Sequence, residues 1–168
     1  RDSFRTTTVD NVELTPEIKE LEYSLEQIEL GDFEHFMLKE IYEQPESIAN
    51  SFRVRITDDG IVRLGGIEDY SHKIMNSNHI YITACGTSWH AAQIGSYIIE
   101  ELYNKPVKVE YASEFRYRKT PIDKNSLLIA ISQSGETADT LAVLRYFNQQ
   151  KGKTLGIINN AESSIARE

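Results

Sequence analysis

Four short runs rich in β-branched and other apolar residues, separated by stretches of helical periodicity, dominate the second half of the sequence. The third run, Leu127-Leu128-Ile129-Ala130-Ile131, contains no polar residue. Strands that are apolar on both faces and alternate with amphipathic helices are typical of a parallel sheet covered by helices on both sides. We therefore predict a doubly wound α/β domain. Its strands are expected at residues 79–84, 107–111, 127–131 and 154–159, and its helices at residues 88–103, 113–117 and 137–150.

A helical N-terminal segment precedes this domain. Thr15-Pro16-Glu17 matches an N-cap followed by proline, and predicts an acidic amphipathic helix to about Leu30. A second helical pattern starts at Phe33, and we expect Pro45 to interrupt it before it resumes at Ile48. The remaining expectations are a short extended piece without a partner strand at residues 1–14 and a helix at residues 67–75. Residues 53–65 predict a hairpin around Asp59-Gly60, although the same dipeptide could equally end an irregular loop.

The net charge of −8 comes from the front of the chain. Residues 1–50 hold 13 acidic and 4 basic side chains, whereas residues 51–168 are nearly neutral. Because duplex binding needs a basic surface, we predict no nucleic-acid partner. No apolar run approaches the roughly 20 residues that span a bilayer, and the opening residues lack a signal-peptide core, so we predict a cytoplasmic protein without a membrane partner. The single cysteine, Cys85, agrees with a reducing compartment.

Two strand ends carry an unusual combination of glycine and hydroxyl side chains. Ala84-Cys85-Gly86-Thr87-Ser88 follows the first predicted strand, and Ser132-Gln133-Ser134-Gly135-Glu136-Thr137 follows the third. Each opens into a helix, whose first turn offers unpaired N–H groups to an anion, and glycine allows that anion to come close. The hydroxyl groups of Ser88, Ser132, Ser134 and Thr137 and the Gln133 amide add further donors. We predict a phosphate site without lysine or arginine.

Simpler interpretations exist for each of these features. Ser and Thr dominate helix N-caps for stability alone, so either loop could be only a cap. Two such loops at the carboxyl ends of strands in one sheet favour ligand binding instead. The sequence lacks the Walker and dinucleotide-binding patterns, which disfavours ATPase and NAD functions. We expect no cofactor, no metal site among the histidines, a packed thiol at Cys85 and a structural role for Glu136.

SQSGETADT, at residues 132–140, together with ACGTS, at residues 84–88, resembles the SIS (sugar isomerase) domain family. Two further stretches, KEIYEQP at residues 39–45 and ASEFRYR at residues 112–118, resemble the isomerase domain of the glutamine–fructose-6-phosphate aminotransferase (glucosamine-6-phosphate synthase) family. The resemblance covers residues 31–168 and implies a flavodoxin-like sandwich of the SIS type from about residue 76. It also implies that residues 1–30 are the tail of a glutaminase domain and a linker.

The resemblance implies a homodimeric enzyme that makes glucosamine 6-phosphate from fructose 6-phosphate and glutamine. By the same resemblance, Ser88, Ser132, Gln133, Ser134 and Thr137 would bind the phosphate, with Gly86 and Gly135 beside it. Cys85 and Thr87 would line the sugar pocket. The glutaminase nucleophile and the second SIS subdomain, which supplies the catalytic groups of this family, are outside these 168 residues. We therefore expect no catalytic residue in this fragment and no activity of the fragment alone.

Two alternatives stay open at this point. A related deglycase or aldose–ketose isomerase of the SIS family would share the SQSGET motif, although residues 112–118 argue against it. A sugar-phosphate-sensing module without turnover, like the SIS domains attached to DNA-binding regulators, would share the same loops. The acidic front segment and the lack of a helix-turn-helix pattern disfavour that alternative.

Overall fold

The structure is a computed structural model that describes residues 6–8, 10, 12–14 and 29–168. The chain forms two compact units, residues 1–63 and residues 64–168. The predicted helix from Thr15 to Leu30 falls almost entirely outside the described residues.

The first unit begins with two very short antiparallel strands, β1 (Thr6–Thr7) and β2 (Glu13–Leu14). Thr6 pairs with Leu14 and Thr7 with Glu13, and the N–H of Thr8 donates to the carbonyl of Val12 at 2.8 Å. The prediction of an extended piece without a partner was therefore wrong. The chain turns at Asp10, a residue type that favours turns, and pairs with itself.

Helix α1 (Phe36–Phe52) runs without interruption through Pro45, contrary to the predicted break. Proline removes one N–H donor from a helix but leaves the turns on either side able to form. Here two hydroxyl groups that follow the proline bond to carbonyls of the helix: Ser47 donates to Gln44 at 3.1 Å and Ser51 donates to Ser47 at 2.9 Å. The face around Pro45 is exposed, so water can reach the carbonyl that proline leaves without a partner.

The predicted hairpin around Asp59-Gly60 is confirmed. Ile56 and Val62 form an antiparallel bridge, and the N–H of Thr57 donates to the carbonyl of Ile61 at 2.9 Å. Gly60 has φ +80°, which glycine adopts without steric cost.

The second unit contains the predicted α/β domain. Residues 67–75, predicted as one helix, instead form a 3₁₀ helix (Gly65–Tyr70) followed by α2 (Ser71–Met75). Seven further elements match their predicted positions to within a few residues. They are β3 (His79–Ala84), α3 (Thr87–Tyr103), β4 (Val107–Tyr111), α4 (Ala112–Phe115), β5 (Ser126–Ser132), α5 (Ala138–Gln149) and β6 (Lys153–Ile158). A short helix that was not predicted, α6 (Ser164–Arg167), follows β6.

These four strands form a parallel sheet in the order β4-β3-β5-β6. The chain builds outward from β3 to β4, then crosses back to place β5 on the other side of β3. Register is continuous across the centre of the sheet, with Ile82 opposite Val109 on one side and Ile129 on the other. The reversal of strand order, or topological switch point, therefore lies between β3 and β5.

Helices cover both faces of the sheet, as predicted. Alternate residues of β5 point to opposite faces, so Leu128 and Ala130 pack in one core. That core also receives the fully buried rings of Phe115 from α4 and Phe147 from α5. On the other face, α3 packs on β3 and β4. This arrangement confirms the doubly wound α/β fold.

Two lysines hold α2 near the amino end of the sheet. The Lys153 ammonium donates to the carbonyl of Lys73 at 2.6 Å and to the hydroxyl of Ser77 at 3.1 Å. The Lys105 ammonium donates to the carbonyl of Ser77 at 2.9 Å and also bonds to the carbonyl of Met75. Cations at a helix carboxyl end satisfy carbonyls that lack helical partners.

Candidate functional site

The two loops singled out in the sequence leave neighbouring strands at the switch point. The first loop (residues 84–88) follows β3, and the serine loop (residues 132–137) follows β5. Thr83 and Ala130 are paired in the register, so both loops begin at the same edge of the sheet. In open parallel sheets, ligands bind outside the carboxyl ends of the strands at this kind of crevice.

Hydrogen bonds within the serine loop hold it in a compact turn. The Ser132 hydroxyl is buried, accepts the N–H of Gly135 at 3.0 Å, and lies 3.1 Å from the hydroxyl of Thr137. The Ser134 hydroxyl accepts the N–H of Glu136 at 3.2 Å. Ser132 and Thr137 thus close the base of the loop, while Gln133 and Ser134 are exposed.

Gly135 is at the tightest point of the serine loop. Its φ is +69°, and a Cβ atom added there would lie 1.9 Å from the Ser163 Oγ and 2.8 Å from the Ile158 Cγ2. Glycine is needed here because the backbone is left-handed and because Ser163 and Ile158 lie too close for a side chain. The loop is therefore packed directly on the residues that lead into α6.

The first loop turns into α3 at Gly86, which has φ +59° and ψ −137°. The N–H of Trp89 donates to the Gly86 carbonyl at 3.0 Å. The Trp89 indole stacks on the Tyr111 ring at the end of β4, with 4.2 Å between centroids and 11° between planes. This stack anchors the start of α3 to the edge of the sheet.

Neither loop uses a side chain to cap its helix. Gly86 at the start of α3 and Thr137 at the start of α5 both make no side-chain cap hydrogen bond. The Thr137 hydroxyl bonds instead to Ser132. No side-chain cap therefore occupies the first-turn N–H groups of either helix, although the N–H of Trp89 is bonded to the Gly86 carbonyl, and the positive end of each helix dipole is available to an anion. This weighs against the interpretation of the loops as caps alone.

The structure places the predicted site residues at three levels of exposure. Ser132 and Gly135 are buried in the base of the serine loop. Cys85 is half-buried and packs against the hydrophobic core, in keeping with a packed thiol. Ser88 and Thr137 are also half-buried, whereas Gly86, Thr87, Gln133 and Ser134 are exposed.

Charged side chains near the serine loop are paired with one another or with backbone. Arg116 and Asp139 form an ion pair at 2.5 Å, and this hydrogen bond raises the pKa of Arg116. The Glu136 carboxylate accepts the N–H of Ser164 at 2.8 Å. Hydrogen bonds from the Ser164 side chain and backbone lower the pKa of Glu136, and Arg167 contributes to the same effect. The partner of Glu136 is therefore Ser164, which the sequence did not identify.

The sequence pattern did not indicate that residues 163–165 contribute to this site. The N–H of Ile165 donates to the Gly135 carbonyl at 3.0 Å, next to the bond between Ser164 and Glu136. Ser163 is the N-cap of α6, and a serine pair before an apolar residue is an available cap signal. That signal indicates a helix start but not its partner loop.

Neither a metal-binding cluster nor a membrane-spanning helix is found in the residues that the structure describes. No group of three or more His, Cys, Asp or Glu side chains in that part of the chain could hold a metal ion. Among the same residues, no helix has the length and apolar character required to cross a membrane.

Comparison with known proteins links this geometry to one family. The model of the SIS domain matches residues 73–168. The chain is 52% identical over 169 residues to the glutamine–fructose-6-phosphate aminotransferase (isomerizing) of Chlorobaculum tepidum, covering 100% of this chain and 28% of that protein. It is 49% identical over 165 residues to the enzyme of the same name from Bacteroides thetaiotaomicron, covering 98% of this chain and 27% of that protein.

A solved structure gives the same relationship. The C-terminal domain of glucosamine-fructose-6-phosphate aminotransferase from Francisella tularensis superposes with a TM-score of 0.74 at 41% identity, covering 83% of this chain and 39% of that chain. The chain spans less than a third of the length of the curated relatives named above. The two loops at the switch point lie within the matched region, and the chain belongs to the SIS domain family.

Proposed function

We propose that this chain binds the phosphate group of fructose 6-phosphate between the serine loop and the first loop. The observation that carries the proposal is the position of both loops at the switch point, each leading into a helix without a side-chain cap. The relatives named for fructose 6-phosphate share this segment at about half of its positions. The product, glucosamine 6-phosphate, carries the same phosphate and would occupy the same place.

Neutral donors are sufficient for this task. A phosphate between the loops would receive N–H groups from the first turns of α3 and α5 and hydroxyl groups from Ser88, Ser134 and Thr137. Hydrogen bonds to a charged group contribute about 1.5–3 kcal/mol each, and a helix amino terminus adds a favourable dipole. The exposed Gln133 amide can also donate, while Cys85 and Thr87 would face the sugar.

We propose that the intact protein is a glutamine–fructose-6-phosphate aminotransferase and that this chain alone does not catalyse the reaction. Within the two loops, the only strongly acidic or basic side chain is Glu136, and its carboxylate is engaged by Ser164. General acid–base catalysis needs a titratable group within reach of the substrate. On this proposal residues 1–30 belong to the glutaminase side, and the SIS core starts near residue 76.

The proposed assembly is a cytoplasmic homodimer. In support, the outer face of α3 carries a row of exposed apolar side chains at helical spacing: Ile94, Tyr97, Ile98 and Leu102. Apolar patches of this kind are typical of surfaces that are covered by another protein chain or domain. A single thiol at Cys85, with no disulfide, suits a reducing compartment.

Calorimetric titration of the 168-residue chain tests the phosphate site. We expect fructose 6-phosphate, glucose 6-phosphate and inorganic phosphate to bind and unphosphorylated fructose not to bind. Ser134→Ala and Thr137→Ala should each weaken binding about tenfold, as expected for a lost hydrogen bond to an anion. Thr154→Ala removes a hydroxyl near the opposite end of the sheet and should leave affinity unchanged. Equal affinity in all three variants would refute the proposed site.

A further inference from the structure

The serine loop is fixed to α6 by three contacts in a row. The Gly135 carbonyl accepts the N–H of Ile165 at 3.0 Å, and the Glu136 carboxylate accepts the N–H of Ser164 at 2.8 Å. The third contact is the close approach of Gly135 to Ser163, which leaves no room for a Cβ atom. The position of the loop backbone therefore depends on a segment almost 30 residues later in the sequence.

Glu136 presents an electrostatic difficulty for a phosphate site. It is the one charged side chain of the serine loop, and its negative charge would repel a phosphate dianion. In the structure its carboxylate is held by the first turn of α6, where Arg167 also lowers its pKa. A negative charge at a helix amino terminus is stabilised there.

We propose that Glu136 is a positioning residue for phosphate binding, which acts through the N–H of Ser164. The hydrogen bond orients the turn from Ser134 to Thr137 and keeps the carboxylate away from the space in front of the helix termini. This role rests on the proposed phosphate site, and it concerns a side chain that does not itself contact the ligand.

Two substitutions of Ser164 together isolate the relevant N–H. Ser164 is the first residue of α6, the helical position at which proline is favoured, and Ser163 before it is already extended at φ −76° and ψ 164°. Ser164→Pro should therefore fold normally but lack the donor to Glu136. Ser164→Ala is the matched control: both variants lose the hydroxyl, which also hydrogen-bonds to the Glu136 carboxylate, and only Ser164→Pro loses the N–H.

The affinity for inorganic phosphate should fall about tenfold in Ser164→Pro and in Glu136→Ala. Ser164→Ala should stay within about threefold of the unmodified chain. Glu136→Gln keeps an acceptor for the N–H without the charge, so it should bind phosphate at least as well as the unmodified chain. In the Glu136→Ala background, Ser164→Pro should have no further effect, because both changes break one interaction.

Amide NMR of the ligand-free chain separates this proposal from the phosphate site. Ser164→Pro and Glu136→Ala should shift or broaden the signals of residues 134–137 more than Ser164→Ala does. If Ser134→Ala does not weaken phosphate binding, the phosphate site is wrong, whatever the NMR shows. If Ser134→Ala weakens binding but a folded Ser164→Pro does not, or if its loop signals are unchanged, Glu136 has no positioning role.

Discussion

The hydroxyl oxygens of Ser132 and Thr137 lie 3.1 Å apart and close the base of the serine loop. Ser132 is the last residue of β5, and Thr137 precedes the first residue of α5. The same Ser132 oxygen accepts the N–H of Gly135 at 3.0 Å. A single buried hydroxyl thus connects the strand, the turn and the helix.

We expect Ser132→Ala to destabilise the chain by about 1–3 kcal/mol, because the buried Gly135 N–H loses its acceptor. Urea denaturation measures this difference. Ser134→Ala in the same loop is the control: this side chain is exposed, so the cost should be below about 1 kcal/mol. Equal losses in the two variants would contradict the assigned role of Ser132.

Gly135→Ala should lower the free energy of unfolding by about 2 kcal/mol or more. The alanine would have to adopt a positive φ, and its Cβ atom would collide with Ser163. Ser163→Gly removes the nearest obstructing atoms, and glycine at a helix N-cap costs only a few tenths of a kcal/mol. The double variant should therefore recover part of the loss. Thermal unfolding of the two single variants and the double variant tests this, and strictly additive losses would exclude the contact as a cause.

Lys153→Met should reduce stability by about 1–3 kcal/mol, because the ammonium bonds to Lys73 and Ser77 at the carboxyl end of α2. The exposed Lys119 provides the comparison, and Lys119→Met should change stability by less than about 0.5 kcal/mol. Denaturant midpoints of both variants suffice for the test. A neutral Lys153→Met would mean that water replaces these bonds without loss.

Asp123 should make stability depend on pH at the acid end. The Ser126 hydroxyl and then the Asn125 N–H, each at 2.9 Å, lower the pKa of Asp123 in the folded chain. The carboxylate therefore stabilises the fold at pH values above about 5, and this contribution is lost as the pH falls through the lowered pKa, below about 4. Asp123→Asn should remove that part of the acid dependence.

Unfolding midpoints between pH 3 and pH 7 give the measurement for Asp123. The unmodified chain and Asp123→Asn should converge at low pH and differ most near neutrality. Curves separated by a constant amount at all pH values would show that the carboxyl titrates alike in the folded and unfolded states.

Periodicity identified the four strands of the α/β domain and the helices between them, because strands buried on two faces and helices buried on one carry different patterns. It missed the short helix α6, which has only four residues. The order of the strands was not available from those patterns. The sequence of β5 does not indicate whether it pairs with β3 or with β4. The break expected at Pro45 was also wrong, since a local rule about one missing donor did not account for the helical turns on both sides.

The candidate site was predictable to the extent that its residues are local. Hydroxyl and glycine residues at the ends of β3 and β5 mark the two loops directly in the sequence. Contacts such as Glu136 with Ser164 join distant segments through a backbone N–H, which every residue except proline supplies. Because nearly every residue type has this backbone donor, residue types in the sequence do not indicate which N–H forms such a contact.

The strand order determines when the site can form as the chain leaves the ribosome. After β4 has emerged, β3 can pair on one side only, and its other edge remains open until residues 126–132 are synthesised. An open strand edge in a partly made chain can pair with other molecules. The crevice between the two loops thus lies where β3 and β5 pair, and a chain that stops before β5 has emerged exposes an unpaired edge of β3.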